Sequence, residues 1–362
     1  MKHGIVFALL LASCAQKTVQ PTPAATTAGD NGARAGAGNA LSGGGSAGDE
    51  VSQGGPAEAG GGEARPDLFD DSGCEHPRVI ANCSNGWCKL PPGCFIMGSP
   101  ETEWSHAPQE KRVKVTLTRG FIMAEREVTQ AEWLAEKLPN PSKLVADQGD
   151  CADTDCPIGN VNWFEAASYA NLMSDKEGLE PCYDFKHCVG NIGQDPSGLV
   201  CEDFTITTKT IYDCNGYRLP TDPEWEYAAR SGSRTAFYAG DITTRREVGV
   251  CVEEPALGAI AWYCSNAGTS TRTVGKLKPN AWGLFDMIGN ALEWVNDQSG
   301  WVPTAEALTD PEQTYGAGQG RDTRGGGYFG WPGACRAAAR VGLSASFRSP
   351  GLGFRLVRTL HP

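Results

Sequence analysis

The sequence predicts an α+β domain in which irregular coil outweighs regular structure and disulfides supply part of the rigidity. Helices are marked by N-cap side chains followed three residues on by glutamate, at Thr129, Asn162 and Thr221. Strands are marked by short alternating runs that glycine or proline interrupts at nearly every connection. The third observation is fourteen cysteines in 362 residues, a usage that suits an exported, disulfide-bonded chain.

Residues 1–14 read as a lipoprotein signal peptide. Lys2 supplies the positive start, and Ile5 to Ala12 form an apolar run too short to cross a bilayer. The run ends in Leu11-Ala12-Ser13-Cys14, the order of a lipobox, with Cys14 as the lipidated residue. More than one acyl chain on that residue would make the membrane anchor stable. Residues 15–66 are Gly, Ala, Ser, Thr and Pro with almost no large apolar side chains. Such a stretch cannot offset its ordering entropy, so it is expected to be a disordered tether with a reach of roughly 40 Å. Residues 67–362 are expected to form one domain, because the motifs below are spread across all of it. Ala15 and Gln16 carry no acidic retention signal. The expected address is therefore exported and membrane-anchored, on the periplasmic or cell-surface side, with the outer membrane favoured.

Within the domain, Thr129 and Glu132 open a helix that turns Trp133, Leu134 and Leu138 inward. Asn162 and Glu165 open a second, with Trp163, Ala166, Ala167, Ala170 and Met173 on one face. Thr221 and Glu224 open a third, with Pro223 in its first turn, Trp225, Ala228 and Ala229 facing the core, and Gly232 placed to stop it. The three glutamates are assigned to capping, not acid–base chemistry. Strands are expected over Val113–Thr118, Phe121–Ala124, Thr205–Tyr212 and Arg355–Val357.

The formal net charge of −12, with no Lys/Arg cluster interleaved with aromatics, excludes a nucleic-acid partner. A zinc site is excluded by the lack of C-x-x-C and by the scattered placement of His3, His76, His106, His187 and His361. Proximity suggests pairing Cys83 with Cys88 or Cys94, Cys151 with Cys156, and Cys251 with Cys264. Cys182, Cys188, Cys201 and Cys214 can be nested or sequential. Setting Cys14 aside leaves an odd number, and Cys335, with no cysteine near it, is the candidate free thiol.

Three spaced segments carry a further signal: Cys94 to Trp133 (CFIMGSPETEW…REVTQAEW), Tyr217 to Gly232 (YRLPTDPEWEYAARSG) and Lys278 to Trp294 (KPNAWGLFDMIGNALEW). Arg324 to Arg358 adds RGGGYF at its start and GLGFRLVR at its end. Together they resemble the sulfatase-modifying factor, or formylglycine-generating enzyme, family, here on a bacterial-type lipoprotein. The resemblance implies an irregular, coil-rich variant of the C-type lectin fold. It also implies a structural calcium ion held by the side chains of Asp286 and Glu293 and the carbonyls of Gly289 and Ala291, a set of hard oxygen donors. Family activity is an oxidation of a sulfatase cysteine to formylglycine at two thiolates that bind copper(I).

Following the family's spacing from Gly325-Gly326-Gly327-Tyr328, the first thiolate position falls on Gly330 and the second on Cys335. The motif serine is Gly327. With one thiol and the serine missing, copper is disfavoured and Cys335 is left as the sole catalytic candidate, with Arg336 and Arg340 as cations that could activate it. The expected function is a lipid-anchored extracytoplasmic module that binds a protein, peptide or glycan. Trp282, Trp294, Trp301, Trp331 and Tyr328 offer either a binding face or core packing. The alternative is a copper-dependent oxidase that converts a sulfatase cysteine to formylglycine.

Overall fold

Inward-facing Val113, Val115 and Leu117 alternate with less buried partners along a strand, and Phe121 and Met123 do the same along the next. This period-2 burial is the sequence pattern realised as a half-buried sheet. The computed structural model describes residues 69–144, 151, 153–194, 197–313 and 320–361. The proposed signal peptide, Cys14 and the 15–66 tether lie outside the described residues.

The strands are β1 (Cys83–Ser84), β2 (Trp87–Leu90), β3 (Gly93–Met97), β4 (Val113–Leu117), β5 (Phe121–Ala124), β6 (Tyr183–Val189) and β7 (Val200–Ile206). They continue as β8 (Tyr217–Arg218), β9 (Leu292–Gln298), β10 (Ala307–Thr309), β11 (Gly320–Arg324), β12 (Val341–Ser344), β13 (Leu352–Gly353) and β14 (Val357–Thr359). One sheet runs β1-β2-β5-β14-β8, so the last strand of the chain is inserted between two much earlier ones. A second sheet, β12-β11-β9-β13, carries the functional segments, and β13 lies parallel to β9. β10-β4-β3 and the β6–β7 hairpin complete the set.

The helices are α1 (Gln130–Ala135), α2 (Trp163–Lys176), α3 (Asp222–Arg230) and the short α4 (Pro255–Gly258). The first three begin with complete capping boxes at Thr129/Glu132, Asn162/Glu165 and Thr221/Glu224. Trp133, Trp163, Trp225, Trp282 and Trp294 are fully buried in the core, so two of the five aromatics weighed as a binding face are packing residues.

Three local expectations are corrected. Leu134 is 40% exposed, because only one face of the short α1 meets the core. The Thr205–Tyr212 strand ends at Ile206, since Thr208 and Thr210 hydroxyls bond to Thr210 O and Asp213 Oδ2 and Ile211–Asp213 forms a 3-10 turn. The final ladder starts at Val357, because Arg355 is withdrawn into a buried ion pair. Gly232 stops α3 as expected, at φ 98°, directly after Ser231 takes the left-handed C-cap at φ 42°.

Six disulfides join Cys74–Cys94, Cys83–Cys88, Cys151–Cys156, Cys182–Cys214, Cys188–Cys201 and Cys251–Cys264. The open choices resolve to Cys83–Cys88 and to nesting of Cys188–Cys201 inside Cys182–Cys214. Such a set marks a chain that folds in an oxidising, extracytoplasmic setting.

Candidate functional site

The site is built where the loop before β9 meets the glycine run after β11. Asp286, Gly289 and Asn290 all adopt left-handed backbone, with φ of 52°, 80° and 53°. A side chain at Gly289 would put its Cβ 2.3 Å from Trp262 O, so only glycine fits. Gly289 N–H donates to Gly325 O at 2.8 Å and Asn290 N–H to Trp262 O at 2.7 Å, which fixes the loop against both neighbours.

The two predicted calcium carboxylates have different surroundings. Arg355 clamps both oxygens of Glu293, with contacts of 2.6 to 3.0 Å, and Trp225 Nε1 donates to Oε2 at 2.8 Å. Asp286 Oδ2 accepts from Gly275 N–H at 2.6 Å, while its buried Oδ1 has no hydrogen-bond partner among the described residues. A third carboxylate joins them, Glu127, which the sequence reading missed. Its Oε1 accepts from Ala291 N–H at 3.3 Å and its Oε2 is buried without a partner. Burial pushes Asp286 up to about 6 and Glu127 well above the ordinary carboxylate range, and Asp286 repels Glu127 further. Two orphaned buried oxygens are what a hard cation would satisfy. The donor set fits calcium at Asp286, while Glu293 is already committed to Arg355.

Gly325, Gly326 and Gly327 follow one another at φ 93°, 90° and 69°. This run folds the chain back so that Gly330 and Cys335 meet. A Cβ at Gly330 would lie 2.9 Å from Cys335 Sγ and 2.5 Å from Gly326 O. The two positions expected to carry thiolates are therefore adjacent in space, but one has no side chain. Cys335 is fully buried in a small apolar cluster with Phe237, Ile260 and Ile288. It is the free cysteine among the described residues. Burial pushes its thiol up to about 12.

The arginines offered as activators are engaged elsewhere. Arg336 pairs with Glu110 at 2.6 Å and Glu103 at 2.7 Å, and Arg340 pairs with Asp222 at 3.0 Å and Glu226 at 3.4 Å. Neither is a surface residue. Arg324, just before the glycine run, pairs with Asp222 and Glu226 and also donates to the carbonyls of Ala337 and Ala339. It thus ties the loop's two ends to α3. At the outer side, half-buried Trp331 packs edge-on to Trp104, with centroids 5.3 Å apart, and Tyr328 packs on Phe329 at 5.2 Å.

Asp322 lies in the same ionic layer. Burial, reinforced by repulsion from Asp222, pushes it up to about 7. Its folded pKa thus exceeds the unfolded value near 3.8, so its contribution to stability is complete below about pH 4 and lost as pH rises to 7. Asp322→Asn is expected to be more stable than wild type at pH 8 in urea unfolding. The gap should close near pH 4, and equal midpoints at pH 8 would refute the assignment.

A model of the sulfatase-modifying factor enzyme 1-like domain matches residues 81–360. The chain is 31% identical over 263 residues to the chaperone protein LppX of Paenibacillus barcinonensis, covering 68% of this chain and 82% of that protein. It is 35% identical over 297 residues to the formylglycine-generating enzyme of Streptomyces coelicolor, covering 77% and 91%. Among solved structures, Treponema denticola variable protein 1 matches with a TM-score of 0.60 at 28% identity, over 75% of this chain and 94% of that one. PvdO from Pseudomonas aeruginosa matches in fold with a TM-score of 0.53 at 22% identity, over 78% and 99%.

Proposed function

The chain belongs to the sulfatase-modifying factor enzyme 1-like family, and from that premise we propose that it is a non-oxidising, lipid-anchored binding module outside the cytoplasm. The observation that carries this reading is the lone thiol: Cys335 is buried beside Gly330, where a second thiolate would have to stand. Linear copper(I) ligation needs two soft sulfur donors. One sulfur with a pKa raised by burial is also a poor nucleophile at neutral pH. The fold is read as a coil-rich variant of the C-type lectin fold, and Cys14 as the acylated residue of an outer-membrane lipoprotein. Likeness to a chaperone favours a polypeptide ligand over a glycan. The half-exposed Trp104, Trp331, Tyr328 and Phe329 beside the glycine run are the proposed contact residues.

Copper(I) titration of the reduced full-length protein tests the reading. The expected result is no tight one-to-one complex and no aldehyde formed on a sulfatase-type cysteine peptide. A stoichiometric complex abolished by Cys335→Ala would overturn it in favour of the oxidase.

We also propose a structural calcium ion at Asp286 with the Gly289 and Ala291 carbonyls, and with Glu293 and Glu127 beside it. The ion would supply positive charge to buried carboxylates and perform no chemistry. Calcium at a hundred times its dissociation constant should stabilise the fold by about 2.7 kcal/mol. Chelation is thus expected to lower the melting temperature of wild type and not of Asp286→Asn. A wild-type melting curve indifferent to chelator would remove the site.

A further inference from the structure

A second concave surface, made from none of the residues of the candidate site, lies where the segment before β1 meets β2, the turn before β5 and the chain's end. It is an open groove of about 520 Å³, within the range of small-molecule sites. Its apolar lining is Val79, Leu90, Pro91, Pro92 and Leu360, and Ile80, 92% exposed, also borders it. The walls are tied together by the main chain. Lys89 N–H donates to Asn82 O and Leu360 N–H to Gly120 O, both at 2.8 Å. Gly120 approaches so closely that an added Cβ would stand 2.9 Å from Leu90 O. Two proline rings stiffen the floor further, so the shape is preformed.

Asp310 and Asp213 stand behind the lining, bonded to Thr118 and Arg119. The protein carries a formal −12, yet among the described residues the lining includes Lys89, Arg119 and His361 and no aspartate or glutamate. Arg119 is already neutralised by Asp213 at 2.6 Å and Asp310 at 3.0 Å. Lys89 is exposed, and none of the ion pairs among the described residues includes it. An apolar floor with an exposed, unpaired lysine among its lining residues favours a ligand with an apolar body and a single negative charge.

We propose that this pocket binds a small amphiphilic anion, an alkyl carboxylate whose chain lies on the proline-lined floor and whose head pairs with Lys89. The inference is independent of the binding-module reading, and neither fails with the other. The test is equilibrium dialysis of the full-length protein against labelled decanoate, with decanol and decyltrimethylammonium as competitors of equal chain length. Saturable one-site binding is expected, displaced by decanol only weakly and by the cation least. Lys89→Glu should weaken binding about tenfold or more, the loss of one charge-assisted contact, and Lys89→Arg should preserve it. Ile80→Asp, at a position too exposed to affect folding, should weaken it as well. Decanol competing as well as unlabelled decanoate, affinity unchanged in Lys89→Glu, or the absence of saturable binding would each overturn the proposal.

Discussion

Arg324→Ala is expected to lower the free energy of unfolding by about 3–5 kcal/mol, the usual result of removing one partner from a buried ion pair. Arg324 is inaccessible to solvent, and its removal takes one of two ion-pair partners from Asp222 and one of three from Glu226, and leaves the Ala337 and Ala339 carbonyls without it. Arg230 and Arg340 still reach Glu226, and Arg340 still reaches Asp222. Collapse should therefore be partial. The melting temperature should fall by on the order of 10 °C, given the few degrees per kcal/mol typical of domains this size. Arg324→Lys should recover only part of the loss, because an ammonium cannot reproduce the forked geometry. A calorimetric shift of a degree or less in the alanine variant would mean that the network contributes nothing net.

The second large effect is covalent. Gly330→Cys is expected to form a disulfide with Cys335 during export, so that the thiol titre of the denatured protein falls by the one thiol that Cys335 contributes. The Cβ position at residue 330 is 2.9 Å from Cys335 Sγ. That matches the roughly 3 Å between a Cβ and the far sulfur that standard disulfide bond lengths impose. The obstacle is Gly326 O, 2.5 Å from the same Cβ, so the glycine run must yield by several tenths of an ångström. Folded protein that keeps both thiols after oxidation would show that the backbone has closed this space. The variant would then serve as a direct probe of copper(I) binding by a restored pair.

The parts of the fold written locally were legible in the sequence. Thr129, Asn162 and Thr221 each met the glutamate three residues on, because a capping box depends on one turn of chain and little else. The short-range disulfides were legible for the same reason. What failed was long-range. β9 (Leu292–Gln298) is buried along most of its length and polar in composition, so no alternation announces it. Its Glu293, Asn296 and Asp297 are tolerated only because Arg355, Tyr183 and backbone amides arrive from distant segments. Arg355 read as strand for the complementary reason. In the site, Cys335 and the 286–293 loop were found through motif spacing, and the structure brings both against the glycine run. Glu127 was not found, since a lone carboxylate in Arg126-Glu127-Val128 looks like surface until Ala291 and Asp286 are placed beside it.

The isolation of Cys335 has a consequence for the rest of the molecule. A protein with six cystines and one mobile thiolate would carry its own agent of reshuffling, because thiolate attack on a neighbouring sulfur is how mispaired isomers arise. Here that hazard is suppressed twice, by a protonated sulfur and by a closed apolar surround. Any change that opened this pocket to water would first be felt as scrambled cystines rather than as a lost reaction.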